Sequence, residues 1–88
     1  MFTGIVQKGN IQSISPAEDG WELAISMPNF AAIVQLGDSV AIDGACLTVT
    51  KVEQDNMYFF VSTESIAKTL IRNYKVGNIV NTELPMQP

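Results

Sequence analysis

The stretch "DGACLTVT", residues 43–50, decides the fold of this 88-residue chain. Asp-Gly between two alternating segments is a strong hairpin signal, because both central residues of a type I′ turn need positive φ. We therefore place a two-residue loop at Asp43-Gly44 and let the pairing run outward from it. The predicted pairs are Ile42 with Ala45, Ala41 with Cys46, Val40 with Leu47, and Ser39 with Thr48.

This register gives the hairpin two unlike faces, because cross-strand partners share a face. The apolar face, expected in the core, consists of Val40, Ile42, Ala45, Leu47 and Val49. The other face has only small side chains, most of them able to hydrogen-bond: Ser39, Ala41, Cys46, Thr48 and Thr50. A solvent face usually carries long polar residues, so the small face predicts a surface against which a flat ligand lies. The alternative is that threonines simply favour strands and that Cys46 is a small buried hydrophobe.

The rest of the chain predicts a small all-β domain, with short Val-, Ile-, Phe- and Thr-rich segments between turn residues. The predicted strands are residues 1–7, 10–14, 22–27, 39–42, 45–52, 57–62 and 79–84. The first two fit either separate strands or one bent strand, because Gly9 can mark a bulge. Residues 29–36 and 63–71 predict two short helices, the second with Ser62 or Thr63 as N-cap. A closed barrel capped by these helices avoids long apolar edges.

Composition restricts the function. The net charge is −4 and lysines and arginines are not clustered, which argues against a nucleic-acid partner. No apolar run approaches a membrane span, and no signal peptide is recognisable, so a cytoplasmic protein without a membrane partner is expected. The absence of histidine excludes imidazole bases and histidine-ligated metals. A single cysteine excludes an internal disulfide and a multi-cysteine zinc site, so no metal is expected.

Two further motifs are less specific. Gly4 lies inside the strand pattern "MFTGIVQ", residues 1–7, where it marks either the close approach of a ligand or neighbouring strand, or a bulge that curves the barrel. The stretch "STES", residues 62–65, gathers three hydroxyls and a carboxylate at a predicted helix start, which capping largely explains.

These motifs resemble one family. The stretches "MFTGIVQ", "DGACLTVT", "VSTESIAKT" (61–69) and "YKVGNIVNTEL" (74–84) are similar to the N-terminal barrel of the riboflavin synthase α-chain, or lumazine-binding, family. The resemblance spans the chain and implies one domain over residues 1–88, folded as a six-stranded antiparallel Greek-key barrel. Such a barrel holds one 6,7-dimethyl-8-ribityllumazine or riboflavin as a ligand, with no cofactor required. The implied ligand contacts are Gly4, Ile5, Val6, Ser39, Cys46, Leu47, Thr48, Phe60, Val61, Ser62, Thr63, Glu64, Ser65 and Thr69.

The chain also departs from this family. Riboflavin synthase has two such barrels in tandem, whereas each motif occurs once here, and the family's histidine-containing segment is absent. Phe60 stands where the enzymes often have a polar or acidic residue, and Ser65 replaces a common threonine.

The function predicted from the residues and the resemblance is therefore binding of riboflavin or lumazine by a single barrel. That barrel is either the N-terminal domain of a riboflavin synthase or a natural single-domain relative. The alternative is an active riboflavin synthase that dismutates two lumazines, as a homo-oligomer or with a second barrel, with Cys46 as the candidate catalytic residue. A third hypothesis is that the barrel serves only for contacts with other proteins. A homodimer or homo-oligomer is expected, and a lone barrel is expected to be weakly active or inactive.

Overall fold

The computed structural model describes residues 2–85, with side chains over 4–84. The strands are β1 (Phe2–Ala17), β2 (Gly20–Ser26), β3 (Ser39–Ile42), β4 (Ala45–Glu53), β5 (Asn56–Ser62) and β6 (Ile79–Pro85). An α-helix, α1 (Thr63–Lys68), and a 3-10 helix (Leu70–Asn73) lie between β5 and β6. The first two predicted strands form one strand, and its register with β2 shifts between Ile11 and Ser13 rather than at Gly9, which pairs regularly with Val80. Met1, assigned to the first strand by its sequence pattern, lies outside the described residues.

The six strands form a closed antiparallel barrel in the order β1-β2-β5-β4-β3-β6. Hairpins join the consecutive strands β3, β4 and β5. The long connection 27–38 runs from β2 to β3, and β2 itself lies beside β5. This is a Greek-key arrangement. The predicted fold class is thus confirmed. Closure pairs β6 with both β1 and β3, so each strand has two neighbours.

The hairpin predicted at Asp43-Gly44 is present in the expected register. All four predicted pairs are formed, and the loop residues have φ of 48° and 88°. The Asp43 carboxylate also joins this turn to distant parts of the chain. It accepts a 2.6 Å hydrogen bond from the Tyr74 hydroxyl and a 2.8 Å bond from the Asn81 backbone N–H. The aspartate therefore serves both the local turn and the packing of β6 against it.

The two faces of the hairpin separate as predicted, with two exceptions. Val40, Ile42, Leu47 and Val49 belong to the core, whereas Cys46, Thr48 and Thr50 are exposed and Ser39 is half-buried. Ala45, predicted in the core, is only partly buried against it, beside the turn. Ala41 belongs to the small face but is buried. It has Cys46 on one side and Glu83 of β6 on the other, and a methyl group between two strands is easily covered.

Of the two predicted helices, the one at residues 29–36 is wrong, and the one at residues 63–71 is shorter than expected. Residues 28–33 form consecutive turns, and Phe30 and Val34 from this segment belong to the core. The second helix ends at Lys68, and Ser62 is its N-cap. Extended backbone at Thr69 then leads into the 3-10 helix, which breaks the α-helical spacing. For that reason Leu70 is exposed, although the sequence pattern groups it with Ile66 and Ile71.

Candidate ligand-binding site

A pocket of about 340 Å³ lies on the outside of the barrel, between β4, β5 and the start of α1. It is lined by Cys46, Leu47, Thr48, Thr50, Phe60, Val61, Ser62 and Ser65. Ligand pockets commonly measure about 300–1,000 Å³, so this volume suits one small molecule. We refer to it as the β4–β5 pocket.

The registers of the strands explain why a gap opens there. Pairing between β4 and β5 runs from Glu53↔Asn56 to Val49↔Phe59, and within the described residues it stops there, short of the pocket. Val49 exchanges backbone hydrogen bonds of 2.8 and 2.9 Å with Asp38 and Gly37 on the β3 side. Because successive residues of a strand direct their peptide groups to opposite sides, those of Cys46 and Thr48 point toward β5.

The facing strand β5 is arranged in the same way. The N–H of Thr63 donates a 2.9 Å bond to the Asp19 carbonyl on the β2 side. By the same alternation, Phe60 and Ser62 direct their peptide groups toward β4. Peptide donors and acceptors from both strands therefore border the pocket, and a planar ligand with its own donors and acceptors can pair with them.

The polar side chains of the pocket fall into two groups. Ser62 and Ser65 are engaged by capping, since Ser62 Oγ accepts the Ser65 N–H at 3.1 Å and donates to Ser65 Oγ at 3.0 Å. Thr50 Oγ1 donates to the Tyr58 carbonyl at 3.2 Å. By contrast, Cys46 and Thr48 are exposed, and nothing in the described part of the chain takes up their side-chain hydrogen bonds. These two are the side chains most available to a ligand.

Phe60 supplies the apolar part of the pocket, and its ring lies against Gly20 of β2. A Cβ atom built on Gly20 would come within 3.0 Å of two Phe60 ring carbons and within 2.0 Å of the Val61 carbonyl oxygen. Only glycine fits at position 20, because any side chain would collide with the backbone of β5. The Phe60 ring is thereby held at the barrel surface, where it remains 42% exposed.

The N-terminal motif reaches the same surface through a row of cross-strand partners. Val6 pairs with Glu83, Glu83 with Ala41, and Ala41 with Cys46. Three strand spacings of about 4.8 Å place Val6 on the order of 14 Å from Cys46. A smaller pocket of about 210 Å³ lies along this row, lined by Val6, Ala41, Asp43, Gly44, Asn81, Thr82 and Glu83.

Gly4 belongs to a bulge. It has φ +80°, lies where the β1–β6 register shifts between Phe2 and Val6, and no described protein atom comes within 4 Å of a Cβ built there. The close approach of a neighbouring strand to this glycine is therefore wrong, whereas the close approach of a ligand stays a prediction. Its N–H donates to the Glu83 carboxylate, which holds the bulge against β6. Ile5, next to it, is 63% exposed.

The remaining residues predicted to contact a ligand do not line the β4–β5 pocket. Thr69 lines a separate pocket of about 460 Å³ beside Lys68 and Arg72, and its hydroxyl donates to the Ser65 carbonyl at 2.8 Å. Glu64 forms an exposed ion pair with Lys68 at 3.1 Å. Thr63 is exposed at the first position of α1, and Ser39 lies across from Thr48 on β3.

Thr50 and Glu83 are functional candidates that the prediction of ligand contacts missed. Thr50 lines the β4–β5 pocket, and the alternation along "DGACLTVT" already placed it on the small face. Glu83 on the neighbouring strand β6 accepts the hydrogen bond of the Gly4 N–H, which no local pattern could have indicated because the two residues lie at opposite ends of the chain.

The lining of the β4–β5 pocket is uncharged, because none of its residues is acidic or basic. Outside it, burial raises the pKa of Tyr74, and its hydrogen bond to the Asp43 carboxylate raises it further. No cluster of three or more metal-ligating side chains occurs within residues 2–85. Within the same range, no helix is long and apolar enough to cross a membrane.

Comparison with known proteins connects this geometry to one family. Residues 3–85 match the family model described as the Lumazine binding domain. The chain is 38% identical to riboflavin synthase from Photobacterium phosphoreum, and all of the chain aligns with 41% of that protein. It is 40% identical to riboflavin synthase from Chlamydia muridarum, with 94% of the chain aligned to 42% of the relative. The chain thus spans well under half the length of these two relatives.

Solved structures show the same similarity. A crystal structure of LumP complexed with 6,7-dimethyl-8-(1'-D-ribityl) lumazine superposes with a TM-score of 0.87 at 35% identity, covering 99% of this chain and 49% of LumP. LumP complexed with riboflavin gives a TM-score of 0.86 at 36% identity, with 96% of this chain and 46% of LumP covered. LumP complexed with flavin mononucleotide gives 0.86 at 33% identity, with 100% and 53% covered.

Proposed function

The chain belongs to the lumazine binding domain family, and on that basis we propose that it binds riboflavin or 6,7-dimethyl-8-ribityllumazine in the β4–β5 pocket. One observation supports this proposal above the others. Half of the residues that the family resemblance implicates in binding line this single pocket: Cys46, Leu47, Thr48, Phe60, Val61, Ser62 and Ser65. They come from two strands and a helix start, so the fold brings them together.

The chemistry of the pocket fits these ligands. Both carry a pyrimidinedione ring whose edge has one N–H donor between two carbonyl acceptors, which matches peptide groups that border a gap between strands. Both also carry a ribityl chain, whose hydroxyls can bond to the free Thr48 side chain. Small residues on β4 let a planar ring lie close to the strand. Because no lysine or arginine lines the pocket, a phosphate gains no cation there, and riboflavin should bind at least as tightly as FMN.

Catalysis is the alternative, and the exposed Cys46 thiol is the observation that favours it. Dismutation of two lumazines moves a four-carbon unit from one molecule to the other, giving riboflavin and a pyrimidinedione. Much of the rate enhancement in such a reaction comes from alignment of the two substrates. One β4–β5 pocket holds one of them, so a second barrel must supply the other. We therefore propose binding as the primary activity, with turnover dependent on pairing.

Pairing and location complete the proposal. Ile5 and Val6 are exposed at the β1 end of the row of strand partners that leads to Cys46, and a second copy of the chain would cover both. We propose a homodimer or homo-oligomer on that basis.

The free exposed thiol of Cys46 suits a reducing compartment, which supports a cytoplasmic location.

Titration of the purified protein with riboflavin, FMN and lumazine, followed by ligand fluorescence, tests the proposal. Thr48→Trp should abolish binding by filling the pocket, because Thr48 is exposed within it. Asn10→Trp is the matched control, since Asn10 is exposed on β1 between partners on β2 and β6. Equal binding by Thr48→Trp and the control would contradict the site. Binding of FMN ten times more tightly than riboflavin, about 1.4 kcal/mol, would contradict the expected order.

A further inference from the structure

The geometry points to Phe60 as a residue that makes this barrel prefer a tricyclic flavin to a bicyclic lumazine. This inference rests on the proposed function and names the ligand class that the β4–β5 pocket selects. Two facts carry it: the position of the Phe60 side chain in the pocket, and the chemical difference between riboflavin and the lumazine.

Phe60 is the apolar side chain of this pocket that a ligand can reach. Leu47 and Val61 also line it, but their side chains belong to the core and are 7% and 1% exposed. Phe60 projects from the outer face of β5 and is 42% exposed. Its ring rests on Gly20, where the collision of any added Cβ with the Val61 carbonyl excludes a larger residue. The Phe60 ring therefore packs against the backbone of β2 at Gly20 and stays accessible to a ligand.

The two ligands differ only at their apolar end. Both have the same pyrimidinedione and ribityl groups, and both can use the same peptide groups and hydroxyls of the pocket. Riboflavin has a fused dimethylbenzene ring where the lumazine has two methyl groups, so it adds carbon without adding a polar atom. A side chain that contacts the added ring must discriminate between them, whereas a residue that contacts the shared polar groups cannot.

The polarity of the pocket sets the direction of the bound ring. The pyrimidinedione edge needs donors and acceptors, which the Thr48 hydroxyl and the peptide groups of Cys46 and Thr48 supply on the β4 side of the pocket. The dimethylbenzene end needs apolar cover, which Phe60 supplies. Aromatic rings in offset or edge-to-face contact gain about 0.5–1.5 kcal/mol beyond their burial. The lumazine lacks the dimethylbenzene ring, so it extends less far from the shared pyrimidinedione edge. Its contact with the Phe60 ring therefore stabilises its binding less than the same contact stabilises riboflavin binding.

The test compares the two ligands in three variants of the intact chain. Phe60→Gln removes the ring while keeping an exposed strand residue, Phe60→Tyr keeps the ring, and Leu36→Gln is the control, because Leu36 is 71% exposed in the connection before β3. For Phe60→Gln, we expect the riboflavin Kd to rise about 2- to 12-fold, with the lumazine Kd changing about twofold or less. Phe60→Tyr and Leu36→Gln should keep the native ratio of the two Kd values.

The outcomes separate this inference from the function on which it rests. If the native chain binds neither ligand, the proposed function is wrong. If it binds both and Phe60→Gln weakens them equally, or weakens neither, Phe60 does not determine selectivity and the inference is overturned while the function stands. Far-UV circular dichroism of each variant checks that the barrel is intact. A loss of the ratio in Phe60→Tyr as well would also contradict a role for the aromatic ring.

Discussion

Cys46 shows how one residue acquires its role from strand register. A free cysteine is commonly a buried hydrophobe, yet here the alternation that sends Leu47 into the core leaves the thiol exposed in the β4–β5 pocket. Because it is the only cysteine of the chain, its chemistry reports on that pocket alone.

We predict that Cys46 reacts stoichiometrically with a maleimide in the native protein, and that saturating riboflavin slows the reaction by about tenfold or more. The thiol is exposed without ligand and lines the pocket that the ligand would fill. Mass spectrometry of timed samples measures the rate. Thr48→Trp, labelled with and without riboflavin, is the control for ligand effects outside the pocket. Identical labelling of the native chain with and without riboflavin would remove Cys46 from the site.

Tyr74 and Asp43 give a residue-scale prediction about pH. The raised pKa of Tyr74 means that the folded state favours the protonated phenol, which donates to Asp43 at 2.6 Å. This contribution is complete below the unfolded-state pKa of about 10 and is lost as the pH rises above it. Tyr74→Phe should therefore lower the free energy of unfolding by about 1–2 kcal/mol at pH 7, and the difference should shrink at higher pH.

Urea unfolding at pH 7 to 11 measures this difference. Tyr58→Phe is the matched control, because the Tyr58 hydroxyl makes only a long 3.4 Å bond to the exposed Glu53. A difference between Tyr74→Phe and the native chain that stays constant from pH 7 to 11 would show that ionisation of Tyr74 is not coupled to folding.

At the scale of elements, the glycines at the strand ends serve two distinct physical needs. Gly44 has φ 88° in the hairpin loop, and no described atom lies within 4 Å of a Cβ built there. Gly20 has no such positive φ, but a Cβ there would lie 2.0 Å from the Val61 carbonyl. Backbone conformation requires the first glycine, and close approach of β2 to β5 requires the second.

We predict that Gly44→Ala costs about 1 kcal/mol of unfolding free energy, because the strain is conformational and local. Gly44→Asn should cost less, since asparagine tolerates positive φ. Gly20→Ala should cost about 3 kcal/mol, because the backbone of β5 must move, and it should weaken ligand binding by displacing the Phe60 ring. Urea unfolding compares the three. Equal costs for Gly20→Ala and Gly44→Ala would contradict the assignment of a close contact at Gly20.

This contrast shows what could be read from the sequence. Gly44 follows an aspartate between alternating strands, so its turn, register and faces were all predictable from local pattern. The small face of that hairpin also predicted most of the β4 side of the pocket. Gly20 and Glu83 act through partners about 40 and 80 residues away in the chain, and nothing in a local stretch encodes such contacts. Leu70 was misplaced because extended backbone at Thr69 interrupts the helix just before it, and the spacing of the apolar residues does not reveal that interruption.

At the scale of the whole molecule, the outer face of the barrel carries an exposed apolar patch that a second copy of the chain would cover. The row Val6–Glu83–Ala41–Cys46 crosses four strands, and Ile5 and Val6 at one end are 63% and 51% exposed. A closed dimer about a two-fold axis would let this patch act as its own partner. The same arrangement would bring two β4–β5 pockets toward one interface, which is the condition for any turnover of lumazine.

We predict that the chain self-associates at micromolar concentration with riboflavin present, and that Val6→Glu shifts it toward monomer, because a buried carboxylate without a partner is costly. Ile79→Glu is the control, since Ile79 is 58% exposed on β6 but pairs with Asn10 at the other end of the strand. Sedimentation equilibrium measures the mass, and a clean 9.6 kDa species for the native chain would contradict pairing. If pairing holds, lumazine turnover should fall in Val6→Glu more than riboflavin binding does, because binding needs one pocket and the reaction needs two.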